Sequence, residues 1–220
     1  MIGILSHVVE FRNSESGEHI IHIRMITELL LRCLVQKTDQ YHLSESDIAI
    51  ITTASALHDI GKIGINEEIL NKQGKMTPEE FELMKSHTTN GVEILKNIDE
   101  IWEEDYRNVS YDVCYYHHER YDGKGYPKGL KGEEISLSAQ LVAIADVYEA
   151  LISPRIYKES FPYEEAYDMI QEAFAYSERY HTPVLFRPTT RVCHGYASIT
   201  VMPRGLKKFQ WHFSRGGVHS

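Results

Sequence analysis

The chain has 220 residues, 42% of them hydrophobic and 25% charged, with a net charge of −9. These figures suit one globular domain with its own core plus a small appendage. The acidic balance argues against a nucleic-acid-binding surface over the whole molecule, so no DNA partner is expected.

Ile20, Ile23, Ile26, Leu30 and Leu34 recur at helical spacing and predict a first helix from about Glu18 to Leu34. Ser44 opens a second, through Ile48, Ile51, Ala54 and Leu57, which Gly61 ends. Residues Gly64 to Gly74 read as a loop. Thr77-Pro78-Glu79-Glu80 then starts a third helix, with Thr as N-cap, Pro first and Glu completing a capping box. This helix carries Phe81, Met84, Val92 and Leu95. A fourth is expected from about Tyr111 to His118, then a loop from Asp122 to Glu134. Ser138 starts a fifth, through Leu141, Ile144, Ala145 and Tyr148. Pro162 and Glu164 open a sixth, ending near Tyr176. No stretch before residue 180 alternates like a strand, so the fold is predicted to be helical.

Charge then reverses. There are 16 Lys+Arg against 31 Asp+Glu up to Tyr176, and 7 against 1 from Ser177 onward. Residues 1–176 are therefore taken as the domain and 177–220 as an irregular basic tail, either foreign to it or a divergent extension. Cys33, Cys114 and Cys193 are odd in number and form no CxxC pair, which predicts free thiols and a cytoplasmic setting. No apolar run nears the roughly 20 residues that span a bilayer. Met1 to Phe11 lacks the basic start and cleavage pattern of a signal peptide.

The pair His58-Asp59 stands at the end of the second helix. Neighbouring side chains on a helix point about 100° apart, but at a helix end both can converge on a cation. Imidazole and carboxylate suit Fe, Mn, Zn, Ni or Co, and a carboxylate has two oxygens with which to bridge two ions. Alone the pair is a weak signal. Its weight comes from His19 with Glu15 one turn before it, His87, His117-His118 and Asp146. An Asp between Ala145 and Val147 is costly to bury unless paired or metal-bound. The set predicts a divalent-metal site spread from Glu15 to Asp146. Two close ions acidify water and neutralise phosphoryl charge, so such a site needs no serine or cysteine nucleophile.

With His19 upstream and Asp146 downstream, His58-Asp59 resembles the HD superfamily of metal-dependent phosphohydrolases. Three stretches narrow the resemblance to its HD-GYP branch. They are His58-Asp59-Ile60-Gly61-Lys62-Ile63-Gly64-Ile65, His117-His118-Glu119-Arg120-Tyr121-Asp122-Gly123-Lys124-Gly125-Tyr126-Pro127 and Ala145-Asp146-Val147-Tyr148-Glu149-Ala150-Leu151. The match runs from about Glu10 to Tyr176. It implies an all-α HD-domain helical bundle with the metal site between helices. It also implies hydrolysis of cyclic di-GMP to pGpG or GMP in bacterial second-messenger signalling.

Position by position, the resemblance implies Glu15, His19, His58, Asp59, His87, His117, His118 and Asp146 as ligands of two or three divalent ions, usually iron or manganese. Asp59 would bridge them, and Glu15 would decide their number. Lys62 would meet the substrate phosphate as a point charge. Arg155 and Lys158, in Ser153-Pro154-Arg155-Ile156-Tyr157-Lys158, match positions that bind phosphate or guanine. Gly125-Tyr126-Pro127 makes a turn with Tyr packed over it. Lying just after two ligands, it is expected to shape the substrate mouth or to meet a GGDEF-type partner.

His22 stands where many relatives have Arg. His7 and His42 read as surface residues, Trp102, Tyr115 and Tyr116 as core or rim, and the tail histidines as non-ligands. After the sixth helix the family pattern of Gly, Phe-Asp/Asn-Pro and a closing helix is absent. Too few residues precede Glu15 for a sensor domain, so either a separate sensor or receiver chain supplies the input or this is an output module. Three functions stay open: a cyclic di-GMP phosphodiesterase, a phosphohydrolase of another cyclic dinucleotide or nucleotide, and a dinucleotide-sensing or partner-binding module without turnover.

Overall fold

The computed structural model describes residues 12, 18–97, 102–153 and 160–169. Among the described residues the chain is helical with no named strand, and the extended pairing is one isolated bridge between Asp122 and Lys131. The all-α fold expected from the sequence is the one observed.

Helix α1 runs over His19–Lys37 and α2 over Glu45–Ala54. Two 3-10 turns follow, Ser55–Leu57 and Ile60–Gly64. The short α3 covers Glu67–Leu70, inside the segment expected to be loop. Then come α4, Pro78–Lys85, and α5, His87–Lys96. Helix α6 is Glu104–Tyr116 and α7 is Leu137–Ile152, and residues 163–169 are again helical. No helix among the described residues is long and apolar enough to cross a membrane.

Helix starts follow local chemistry. Ser44 Oγ accepts the Asp47 N–H while the Asp47 carboxylate accepts the Ser44 N–H. Thr77 and Glu80 repeat the box, with Pro78 at the first position. Each such cap satisfies amides that a helix leaves unpaired. Helix α7 is capped by Ser136, whose Oγ accepts the Ala139 N–H, and not by Ser138, which is buried one residue inside.

Three helix ends differ from expectation. Helix α2 stops at Ala54, so His58-Asp59 stands between two 3-10 turns and not at the end of a long α-helix. The Ser55 hydroxyl donates back to Thr52 O, and the His58 Nδ1–H donates to Ser55 O. These side-chain bonds compete with the helical ladder and tighten the chain. The expected third helix is two, because Ser86 donates its hydroxyl to Leu83 O and turns the chain between α4 and α5. Helix α6 begins earlier than Tyr111, at Glu104, with Glu104 and Asp105 favourably placed at the positive end of the helix dipole.

Two apolar clusters hold the helices. Leu31, Leu34, Ile48, Ile51 and Leu141 join α1, α2 and α7. Leu57, Ile60, Leu95 and Cys114 join the turns to α5 and α6. His58 and Asp59 are thus anchored on either side by fully buried neighbours, each such side chain contributing about 1.5–3 kcal/mol. Gly61 lets α5 lie directly on the second turn, since a Cβ there would stand 1.8 Å from His87 O. That close approach brings His87 beside Asp59.

Candidate metal centre

Seven of the eight expected ligands meet. The donor atoms of Asp59, His87, His117 and His118 lie within 4.8 Å of one another, and so do those of His19, His58 and Asp146. The His58-Asp59 pair is therefore divided, one residue to each group. The two groups adjoin where His58 Nε2 stands 3.2 Å from Asp59 Oδ2. The backbone explains the division: His58 is still helical (φ −50°, ψ −40°) whereas Asp59 has left the helix (φ −102°, ψ 9°). Glu15, Arg155, Lys158 and the 177–220 tail lie outside the described residues.

The imidazoles are oriented from behind. His58 Nδ1 donates to Ser55 O at 2.9 Å, His87 Nδ1 to Met84 O at 2.8 Å and His117 Nδ1 to Val113 O at 2.9 Å. A carbonyl only accepts, so Nδ1 carries a proton in each ring and Nε2 is the atom turned to the site. His87 Nε2 and His117 Nε2 approach to 3.3 Å. His19 Nε2, His58 Nε2 and Asp59 Oδ1 are buried without a hydrogen-bond partner. Buried polar atoms are seldom left so. Convergent lone pairs of imidazole and carboxylate are a donor set for a divalent cation, and the residues present fit one in each group.

Electrostatics suit a cation in the Asp59 group and leave a proton to be displaced from His58 in the other. Burial disfavours charge on Asp59, but Lys62, 2.6 Å away, and His58 outweigh it and hold the carboxyl well below its usual range. Burial likewise opposes charge on His58, but the Asp59 carboxylate prevails and raises it to about 9. Burial lowers His87 and His117, and burial with His87 pushes His118 down to about 3. Neutral imidazole is the ligating form. Lys62, expected at the substrate phosphate, is here the ion-pair partner of Asp59.

Two carboxylates that sequence reasoning did not single out support the site. Glu149 is 2% exposed and lies one turn after Asp146 on α7. Its Oε2 accepts from His19 Nδ1 at 2.8 Å and its Oε1 from Ser153 Oγ at 2.5 Å. Burial opposes its charge, but His19 and Ser153 bring it down to about 2. His22 leans toward the same carboxylate at 3.5 Å. A glutamate three residues after an aspartate on an apolar helix was the available signal.

Glu119, 5% exposed, accepts the backbone N–H groups of Lys128, Gly129 and Leu130. It thereby folds the Gly125-Tyr126-Pro127 loop back over the ligands that precede it. Gly125 allows the contact, since a Cβ would stand 2.3 Å from Arg120 N. The Tyr126 ring then lies 4.7 Å from the His118 ring. Trp102 packs against the Leu57 cluster and His42 is exposed, as expected.

The description HD domain matches residues 8–180, and the chain belongs to that family. It is 42% identical over 166 residues to a probable cyclic di-GMP phosphodiesterase of Vibrio cholerae, covering 74% of this chain and 37% of the relative. It is 39% identical over 171 residues to a cyclic di-GMP phosphodiesterase of Thermotoga maritima, covering 78% and 44%. It is 35% identical over 181 residues to the 3'3'-cGAMP-specific phosphodiesterase 2 of Vibrio cholerae, covering 82% and 32%. The chain thus spans less than half the length of these curated relatives. Among solved structures it shares its fold with the HDGYP protein Bd1817 of Bdellovibrio bacteriovorus. There the TM-score is 0.50 and the identity 24%, over 76% of this chain and 49% of that one.

Proposed function

We propose that the chain is the catalytic domain of a metal-dependent phosphodiesterase that hydrolyses cyclic di-GMP to pGpG or GMP. The observation that carries this is the division of His58-Asp59 between two adjoining donor groups. Ions bound there, iron or manganese, would supply an acidified water and positive charge for the phosphoryl oxygens. His87, His117 and His118 would hold one ion, His19, His58 and Asp146 the other, with Asp59 serving both. Glu15 is assigned to a third. Lys62 is assigned to the substrate phosphate, and Arg155 and Lys158 to phosphate or guanine.

Names of relatives support this substrate class, and the relative named for 3'3'-cGAMP keeps a second cyclic dinucleotide in view. We retain 1–176 as the domain and 177–220 as a basic tail on the strength of the charge reversal. The free thiols of Cys33 and Cys114 support a cytoplasmic setting. A GGDEF-type partner at the Gly125-Tyr126-Pro127 loop and a separate sensor or receiver chain belong to the same proposal. Because Tyr126 is turned onto His118, such a partner would meet the exposed Lys124 and Lys128 instead.

The test is to load the protein with Mn²⁺ or Fe²⁺, incubate it with a panel of cyclic dinucleotides and resolve the products chromatographically. Linear pGpG or GMP from cyclic di-GMP is expected. No turnover of any cyclic dinucleotide by metal-loaded protein overturns the proposal.

A further inference from the structure

Phe81 is out of place for a core residue. Helix α4 has no buried residue, and Phe81 is 46% exposed. A single exposed apolar side chain needs no explanation. Phe81, however, belongs to a series. Its ring stands edge-on to Tyr126 at 6.3 Å. Tyr126 in turn lies over His118 at 4.7 Å and edge-on to His87 at 6.5 Å, both members of the Asp59 donor group. Lys85 Nζ lies 5.0 Å from the Phe81 ring centroid and 5.6 Å from that of Tyr126. Lys85 also pairs with Glu82 at 2.5 Å, a surface contact worth little.

We infer that Phe81, with Tyr126 and Lys85, forms a nucleobase-stacking subsite on the rim of the metal centre. This rests on the proposed function, which makes the substrate a nucleotide. The cations that these imidazoles and carboxylates would hold attract phosphate oxygens and give no grip on a base. Affinity for a base must therefore come from outside the donor set. The ring of Phe81 offers an exposed apolar face, Tyr126 walls it toward the ligands, and Lys85 supplies a cation for a phosphate oxygen or a purine acceptor edge. Every base has a π-face, so such a platform binds purines without choosing among them.

The test compares GMP with ribose 5-phosphate, which lacks the base, as ligands of Mn²⁺-loaded protein, measured by calorimetry. Wild type should prefer GMP. Phe81→Ala should weaken GMP binding about tenfold and leave ribose 5-phosphate unaffected, as stacking predicts. Phe81→Trp, which keeps an aromatic face, should restore GMP binding. Equal binding of the two ligands by wild type overturns the inference. So does an equal loss of both in Phe81→Ala, or unchanged GMP binding by that variant. Thermal unfolding of both variants separates a folding defect from a binding one. Because the readout is equilibrium binding of a mononucleotide, it succeeds or fails independently of whether cyclic dinucleotides are turned over.

Discussion

The two donor groups share one His-Asp pair but are held by different means. In the Asp59 group, His87 and His117 are oriented by carbonyls three and four residues behind them, Met84 O and Val113 O. Their aim is set by local geometry at helix ends. In the other group, His19 is oriented by Glu149, 130 residues away. Its aim depends on α1 packing against α7, through Leu31, Leu34 and Leu141. In one half the imidazoles are aimed by short-range bonds, and in the other His58 is aimed locally, by Ser55 O, but His19 by a tertiary contact. The second half should therefore be the easier to disturb without disturbing the first.

The largest effect is expected where the halves join. Asp59→Ala should empty both groups and reduce turnover by at least about 10³-fold. Metal analysis of the purified variant checks this, and one ion retained per chain would show that Asp59 serves a single group. Glu149→Gln should weaken binding at the His19 group about 10–100-fold and spare the Asp59 group. In a Mn²⁺ titration one of two phases should weaken. Equal weakening of both would erase the contrast between local and tertiary support.

The pH response should reveal the junction again. His58 keeps its proton up to about 9, above the ordinary imidazole value, because burial is outweighed by Asp59. Below that pH a cation has to displace the proton. Affinity at the His58 group should fall about tenfold per pH unit as pH drops from 9 towards 6.5, with one proton released per ion. Calorimetry in buffers of different ionisation enthalpy measures the release. No proton release would mean that His58 is already neutral beside Asp59. The smallest effect is expected away from both groups. Ser44→Ala removes the α2 capping box and should cost about 1 kcal/mol in urea unfolding, with both Mn²⁺ affinities intact. A loss of metal affinity there would show that the α2 cap is coupled to the centre.

The same distinction separates what was legible in the chain from what was not. The helices at Ser44 and Thr77 could be read because a capping box is closed within four residues. The break at Ser86 could not, because the serine competes with the helix through its own hydroxyl while the apolar period runs on from Met84 to Val92. Phe81 fitted a helical apolar pattern yet lies exposed, since periodicity marks a face without saying what covers it. Glu119 is a similar case: its position next to His117-His118 is plain in the sequence. Its partners, the amides of Lys128 to Leu130, are supplied only when the loop closes.

By itself the sequence determined a helical fold and a set of candidate donors, because helix caps and residue types are local properties. Only the tertiary structure decided that His58 and Asp59 face different groups and that Glu149 aims His19. It also decided that α5 lies close enough on Gly61 to bring His87 to Asp59. Those are distances between segments far apart in the chain, and they follow from packing that no local pattern encodes.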